Sequence, residues 1–209
     1  MEERPPDINA RLAARLRRLR SERGLTLDGL AERAGVSRSA ISLTERGESS
    51  PTAALLDRLA AGLGVTIASL FAEDERADAP PVARRADQAA WRDPETGYVR
   101  RNLSPPGFPS PIELVEVVLP AGARVAYDTP AAARSVGVSQ QIWVLAGRIE
   151  VTVGGVAHRL GEGDCLAMRV DQPTVFLNPA DLPARYVVAL TSDAAAIGRG
   201  GGNRGRSAP

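Results

Sequence analysis

The sequence has almost none of the side chains that usually bind metals or form disulfides. Its 209 residues include one cysteine, Cys165, and one histidine, His158. One cysteine cannot form a disulfide within the chain, and a cysteine-based metal cluster is disfavoured as well. A first-row metal ion in a protein usually needs three or more histidine, cysteine or carboxylate ligands. We therefore expect no metal and no cofactor, with Cys165 as a small core residue and His158 as a surface or core side chain.

Long apolar runs and lysine are missing too. No apolar stretch approaches the ~20 residues that a membrane-spanning helix needs, and Met1 to Asp7 are acidic and proline-rich, unlike a signal peptide. These features predict a cytoplasmic protein without a membrane partner. All 26 basic residues are arginine. Nine of them lie between Asn9 and Arg46 against four acids, which indicates either a modest phosphate-binding patch or a plain solvated surface.

The first ~70 residues have the apolar spacing of five short helices. Leu12, Leu16 and Leu19 form one face of the first helix. Thr26, Ser37 and Thr52 are suitable N-caps for later helices. The glycines at which helices end are Gly24, Gly35, Gly47 and Gly64. The pattern predicts an all-α domain over residues 1–72.

Beyond Phe71 the pattern changes twice. Residues 73–96 are polar and contain prolines, which predicts a linker. Strand periodicity then predicts an antiparallel sandwich or barrel within residues 97–192. Residues 193–209 have few apolar groups, so we expect a disordered tail. The predicted strands are 112–119, 124–127, 140–146, 148–153, 156–160, 165–168, 174–178 and 185–190.

Two of the predicted helices are joined by a very short turn. Gly35, Val36 and Ser37 separate helices two and three, and glycine permits the left-handed backbone of a sharp turn. The segment TLDGLAERAGVSRSAISLTERGESSPT resembles the helix-turn-helix of the phage-repressor-like family, also called the XRE family, and the likeness extends over about residues 9–71. It implies a five-helix, λ-repressor-like domain that binds double-stranded DNA.

In that family the third helix lies in the major groove and its N-terminal half contacts base edges. The resemblance implies a specificity role for Arg38, because a guanidinium can bond O6 and N7 of guanine together. Arg20 and Glu45 correspond to a structural ion pair of the family. The other candidates for DNA contact, to bases or to phosphates, are Thr26, Ser37, Ser39, Ser42, Leu43, Arg46, Ser49, Ser50 and Thr52.

A single module of this size binds DNA weakly at physiological salt. Specific binding therefore implies a homodimer on a pseudo-palindromic operator, with recognition helices about 34 Å apart. We expect the second domain to form the dimer.

The second domain carries two turn motifs. A strand, a glycine turn, a further strand, LGEGD and a later FLNP together resemble a cupin, the double-stranded β-helix or jelly-roll barrel, over about residues 112–190. Metal-binding cupins have two close histidines and a glutamate, then a further histidine and an asparagine. Here Asp128 and Pro130 stand where the two histidines would start, and Gln140 replaces the glutamate. Thr174 replaces the later histidine, whereas Asn178 is kept.

The missing ligands separate two functions. A helix-turn-helix domain followed by a cupin also occurs in an iron-dependent epoxidase family, but an epoxidase- or dioxygenase-like enzyme needs those ligands. We therefore expect a transcriptional regulator, a repressor, whose barrel dimerises and senses a small molecule. A barrel that only dimerises remains the alternative to sensing. The candidate effector-pocket residues are Tyr127, Gln140, Trp143, Thr174 and Arg185.

Overall fold

The computed structural model describes residues 8–74, 76–127 and 137–192, so the predicted tail lies outside the described residues. Its helices are α1 (Ile8–Glu22), α2 (Leu27–Ala34), α3 (Arg38–Glu45), α4 (Ala53–Leu63) and α5 (Ile67–Phe71). No helix in these ranges is long and apolar enough to cross a membrane. The strands are β1 (Ala90–Arg92), β2 (Val99–Asn102), β3 (Glu113–Leu119), β4 (Arg124–Tyr127), β5 (Val138–Ala146), β6 (Ile149–Val153), β7 (Val156–Leu160), β8 (Cys165–Arg169), β9 (Thr174–Leu177) and β10 (Ala184–Ser192).

Local side-chain chemistry sets the helix ends. The hydroxyl oxygens of Thr26, Ser37 and Thr52 accept hydrogen bonds from backbone N–H groups in the first turns of α2, α3 and α4, at 3.0, 3.1 and 3.2 Å. Such N-caps satisfy donors that have no partner within the helix. Gly35 follows α2 with φ at 62°, in the left-handed region that residues with a Cβ avoid. The predicted five-helix domain is confirmed.

The packing of α2 against α4 depends on a glycine within α4. A Cβ placed on Gly62 would lie 2.9 Å from Cβ of Ala34 and 3.1 Å from the backbone of that residue. The two helices therefore contact each other through their backbones at this point, and a side chain at position 62 would push them apart.

An ion pair joins α1 to α3. Nε and Nη2 of Arg20 donate to the two carboxylate oxygens of Glu45 at 2.7 and 2.8 Å, and Nη1 donates to the carbonyl oxygen of Leu25 at 2.8 Å. The side chain of Glu45 is 5% exposed, and its hydrogen bond raises the pKa of Arg20 above the ordinary value. The structural role expected for this pair is confirmed.

The strands form two antiparallel sheets that face each other. The six-stranded sheet has the order β1-β2-β3-β10-β5-β8, and the four-stranded sheet has the order β4-β9-β6-β7. Alternate residues of each strand point inward and form the barrel core, which includes Val115, Val117, Ile142, Val144, Ile149, Val151, Phe176 and Tyr186. All eight strands predicted from residue 112 onward are present, and the antiparallel barrel is confirmed.

Two strands differ from the sequence prediction. β1 lies inside the predicted linker, residues 73–96, and β2 precedes the first predicted strand. They pair with each other, and β2 pairs with β3, so the six-stranded sheet extends at this edge. Alternation cannot be recognised in a strand of three residues. The position of β1 depends instead on Trp91, which is 2% exposed.

The helical domain and the barrel share a continuous core. The ring of Phe71 in α5 lies 5.9 Å from that of Trp91, which lies 5.8 Å from that of Tyr98. The buried carboxylate of Asp93 accepts a hydrogen bond from the backbone N–H of Ala53, the first residue of α4, at 3.2 Å. A carboxylate at this end of a helix is stabilised by the helix dipole. The predicted linker therefore contains the contacts that dock the two domains.

Replacing Arg20 with leucine should lower the free energy of unfolding by about 3–5 kcal/mol, because the buried carboxylate of Glu45 loses its partner. The matched control is Arg159→Leu. Arg159 pairs with Glu150 at 3.1 Å, but its side chain is 89% exposed, so its loss should change the stability by less than about 1 kcal/mol. Urea unfolding followed by circular dichroism measures both. Equal losses in the two variants would contradict a structural role for the buried pair.

Candidate DNA-reading helix and barrel cavity

The solvent-facing side of α3 carries the residues predicted to contact bases, and its other side packs against the helical core. The outward side chains, exposed or half-exposed, are Arg38, Ser39, Ser42 and Leu43. The buried side chains are Ile41, Thr44 and Glu45. Because the outward set lies in the N-terminal half and middle of α3, that part of the helix is free to enter a major groove.

Arg38 is held only at the surface. Its side chain is 64% exposed, and its Nε lies 3.4 Å from an Asp28 carboxylate oxygen that is itself exposed. Exposed ion pairs contribute little to stability. A guanine edge can therefore replace Asp28 at small cost.

The residues predicted to contact phosphates already have partners within the protein. Thr26, Ser37 and Thr52 accept hydrogen bonds as N-caps, which leaves each hydroxyl hydrogen able to donate. Ser50 donates to the side-chain oxygen of Asn9 at 3.3 Å. These contacts fix the hydroxyl groups in place before any DNA binds.

Two further candidates for DNA contact lie near the end of α3. The guanidinium of Arg46 donates to the carboxylate of Glu48 at 2.6 and 2.8 Å and also to the hydroxyl of Ser42. A phosphate must compete with Glu48 for this guanidinium. Ser49 is half-buried in the turn that leads towards α4.

The arginines of α1 do not extend this DNA-facing surface. Their guanidinium groups bond to carboxylates or backbone carbonyls of the helical domain and of the segment that follows it. Residues 9–46 have an excess of positive charge. Glu73 and Asp74, which lie outside that segment, balance part of it. The pairs are Arg11 with Glu73, Arg15 and Arg18 with Asp74, Arg17 with the backbone carbonyl of Glu45, Arg20 with the carboxylate of Glu45, and Arg23 with the carbonyl of Leu63.

A cavity of about 120 Å³ lies inside the barrel, next to the helical domain. The barrel lines it with Tyr127, Gln140 and Thr174, among others. One wall comes from α4, α5 and the turn between them, including Ala61 and Thr66. A single water needs about 10–15 Å³ of such space, so the cavity has room for a small organic molecule.

Three of the five predicted effector-pocket residues, Tyr127, Gln140 and Thr174, line this cavity. The prediction is wrong for Trp143 and Arg185, which lie on the outer face of the six-stranded sheet with side chains about half exposed. Alternation along a strand explains the error. Gln140 and Trp143 are three residues apart in β5 and must point to opposite faces.

The same outer face carries Cys165, which is exposed, so the prediction of a core cysteine is wrong. Cys165 lies directly opposite Trp143 in the pairing of β8 with β5. Its neighbour Leu166 points inward and is half-buried. The apolar residues beside Cys165 in sequence therefore belong to both faces of the sheet rather than to one core.

Sequence reasoning missed five polar residues that line the cavity: Asp57, Thr66, Tyr98, Arg100 and Tyr186. Tyr186 could have been found from its alternation with Val188, which is buried on the same face of β10. An arginine in a short strand has no such signal, because arginine normally faces solvent. The inward position of Arg100 follows only from the pairing of β2 with β1 and β3.

The positions of the cupin metal motifs hold hydrogen-bonding groups. Nε2 of Gln140 donates to the sulfur of Met168 at 3.4 Å, and the Thr174 hydroxyl donates to the carbonyl of Gln172 at 3.1 Å. His158, on β7, is half-buried and does not line the cavity. Within the described ranges no three His, Cys, Asp or Glu residues are grouped so as to hold a metal ion. Positions 128 and 130 of the first motif lie outside those ranges.

Asn178, the motif residue that is kept, closes the barrel loop rather than facing the cavity. It is fully buried, and its Nδ2 donates to the carbonyl oxygens of Leu119, Pro120 and Leu182 at 3.0, 3.1 and 2.9 Å. Three backbone acceptors on one amide explain why the asparagine can persist without a metal: it satisfies carbonyl groups that the turn would otherwise leave buried.

Comparisons with known proteins agree with this architecture. A family model described as a helix-turn-helix domain matches residues 11–73. The HTH-type transcriptional regulator SutR of Escherichia coli strain K12 is 28% identical over 175 residues, which is 84% of this chain and 91% of SutR. The HTH-type transcriptional regulator PuuR of the same organism is 27% identical over 184 residues, 85% of this chain and 92% of PuuR.

A solved structure extends the likeness to the whole described fold. An HTH_3 family transcriptional regulator from Vibrio cholerae superimposes with a TM-score of 0.67 at 28% identity, and the match covers 88% of this chain and 96% of that one. The chain contains a helix-turn-helix domain over residues 11–73. Over most of its length it is similar to proteins that are named as transcriptional regulators.

Replacing Arg38 with alanine should weaken binding of the regulator to its operator by about 1–3 kcal/mol and change binding to random DNA little, because a bidentate contact to guanine is lost. Fluorescence anisotropy with both duplexes at one salt concentration measures the two affinities. Arg46→Ala is the comparison, since loss of a phosphate contact should weaken both complexes alike. Equal losses for Arg38→Ala on both duplexes would show that Arg38 contacts only phosphate.

Proposed function

We propose that the regulator is a cytoplasmic repressor that binds a pseudo-palindromic operator as a homodimer and releases it when a small molecule fills the barrel cavity. The observation that carries this proposal is a single cavity with walls from both domains, such as Ala61 and Thr66 from the helices and Gln140 and Thr174 from the barrel. A molecule in the cavity contacts the helical domain directly. Its affinity therefore depends on how the two domains are placed, and binding shifts that placement.

Helix packing connects the cavity wall to the reading helix. Ala61 lines the cavity from α4, and the next residue, Gly62, lies against Ala34 at the end of α2. The turn of Gly35 and Ser37 then leads directly into α3. A displacement of α4 by a bound molecule therefore acts on α2 and, through this rigid turn, on α3.

A second connection runs through the turn between β1 and β2. The backbone N–H of Asp93 donates to the carbonyl of Tyr98 at 2.8 Å, which closes the turn. Tyr98 lines the cavity, and Asp93 holds the N–H of Ala53 at the start of α4. A ligand that moves Tyr98 also moves the carboxylate that holds α4, close to the predicted phosphate contact Thr52.

The outer face of the six-stranded sheet is the surface we propose for the homodimer. Trp143 is 52% exposed there. Its strand neighbours on this face are Cys165 of β8 and Val187 of β10. Exposed large apolar side chains set beside smaller ones are typical of contact surfaces between proteins.

We propose no catalytic role for the barrel. The alternative, a metal-dependent epoxidase- or dioxygenase-like enzyme, needs metal ligands where Gln140 and Thr174 bond to protein acceptors. A glutamine and a threonine are poor ligands for a first-row metal but suitable partners for a polar ligand. The names of the curated relatives support the same choice.

Replacing Val117 with phenylalanine should mimic a bound effector, because Val117 is 2% exposed and lines the cavity. The larger side chain should lower operator affinity about tenfold, within the usual range of coupling between two sites. The matched control is Val118→Phe, whose side chain lies on the outer face of the same strand. Anisotropy titrations measure the effect. A folded Val117→Phe variant with wild-type affinity would argue against coupling through the cavity.

Replacing Trp143 with arginine should convert the dimer to a monomer and weaken operator binding, since a charge would be buried in the proposed interface. Leu182→Arg is the control, because Leu182 is 75% exposed in a loop away from that face. Sedimentation velocity with the full chain measures the mass of each variant. A Trp143→Arg protein that remains dimeric would show that the interface lies on another surface. A monomeric wild-type protein would contradict the proposed dimer.

A further inference from the structure

An arginine is buried inside the barrel beside the cavity. Arg100 of β2 is 7% exposed and lines the cavity. In the sheet it lies between Trp91 of β1 and Val117 of β3, both of which point into the core. Its guanidinium carbon lies 5.6 Å from the centre of the Phe71 ring. This contact with an aromatic face offsets part of the cost of removing the cation from water.

Two of the three guanidinium nitrogens of Arg100 have no hydrogen-bond partner among the described residues. Its Nε and Nη2 atoms are buried and have no hydrogen-bond acceptor in those ranges. By contrast, Arg101, the next residue on the outer face, lies 3.5 Å from Glu116. Burial raises the pKa of Glu113, and the positive charge of Arg100 opposes this shift. Asp57 of α4 also lines the cavity, and its side chain takes part in an interaction.

Three tyrosines, Tyr98, Tyr127 and Tyr186, line the cavity together with Arg100. Burial raises the pKa of both Tyr127 and Tyr186 well above the ordinary value, and the neighbouring Tyr98 hydroxyl adds to this shift. The phenols of Tyr127 and Tyr186 therefore stay protonated at neutral pH. Tyr127 is hydrogen-bonded to Tyr98, and the O–H group of Tyr186 can donate. A buried guanidinium with two unpaired nitrogens beside a neutral O–H donor is complementary to a negatively charged oxygen group.

We propose that the cavity binds a small molecule with one carboxylate and a short apolar body, and that Arg100 is the residue that recognises the carboxylate. This inference rests on the proposed function, because it assigns a ligand class to the effector cavity. A guanidinium matches the planar geometry of a carboxylate, and Val117, Val188 and Leu190 supply an apolar wall. The volume of about 120 Å³ is well below the roughly 300–1,000 Å³ of sites for drug-sized molecules, so the body of the ligand is short.

The test is thermal unfolding of the full chain with defined probes: unbranched carboxylates from acetate to hexanoate, their primary amides, and inorganic phosphate. At least one carboxylate should raise the Tm of the wild-type protein by several degrees, and the corresponding amide should not. Arg100→Gln should abolish the shift, whereas Arg101→Gln, the matched control on the outer face, should retain it. If Arg100→Gln does not fold, Arg100→Lys should show a smaller shift that still favours the carboxylate over the amide.

Four results would overturn the assignment: equal shifts with acid and amide, a shift retained in Arg100→Gln, a shift with phosphate alone, or no shift with any carboxylate. Operator binding with the same probes separates this inference from the proposed function. A carboxylate that binds through Arg100 without releasing operator DNA contradicts the function and leaves the assignment standing. An uncharged or cationic molecule that binds the cavity and releases the operator overturns the assignment and leaves the function standing.

Discussion

The contact of Phe71 with Trp91 places α5, the last helix of the helical domain, against the barrel. The wall of the cavity and the position of Asp93 at the start of α4 both depend on that placement. It brings α4 and α5 over the barrel interior, so that the cavity has a helical wall. It also sets the turn of Asp93 at the start of α4, where the carboxylate accepts the N–H of Ala53. Aromatic pairs combine large buried area with a preferred geometry, which makes this junction specific as well as stable. A flexible linker alone would not hold α4 and α5 in a fixed position against the barrel.

Arginine has three different physical roles in this lysine-free chain. In α1 it holds helices together, as Arg20 does with Glu45. On α3 it is exposed and weakly paired, as Arg38 is with Asp28, and so remains available to DNA. In the barrel Arg100 is buried, and its Nε and Nη2 have no hydrogen-bond partner in the described ranges. The guanidinium group serves all three because it stays charged when buried and makes planar, multiple hydrogen bonds.

Three residues at the cupin motif positions, Gln140, Thr174 and Asn178, make hydrogen bonds within the barrel. Asn178 still holds three backbone carbonyls and closes the loop beside β9. Gln140 and Thr174 point towards the cavity but bond to Met168 and to the backbone of Gln172. Hydrogen-bonding groups in a small concave space with apolar walls suit recognition of a small molecule.

Much of the fold follows from the sequence, because its signals are local. N-cap hydroxyls, the left-handed Gly35 and the spacing of leucines predict the helices, and alternation within each segment predicts eight of the strands. Part of the cavity follows in the same way, since Gln140 and Thr174 occupy recognisable motif positions. Trp143 and Arg185 lie on the opposite face, because each is an odd number of residues along its strand from a residue that lines the cavity.

The sequence by itself determined that this protein has a helix-turn-helix segment and a barrel without the usual metal ligands. Both properties depend on residue types at fixed local spacing. Only the tertiary structure decided that the two domains share a core and that Arg100 faces inward. Three-residue β1 has no readable period, and an arginine in β2 looks like a surface residue until its strand is paired. Burial is a property of the packed sheets and of the aromatic contact between domains, and neither is encoded within a single segment of the chain.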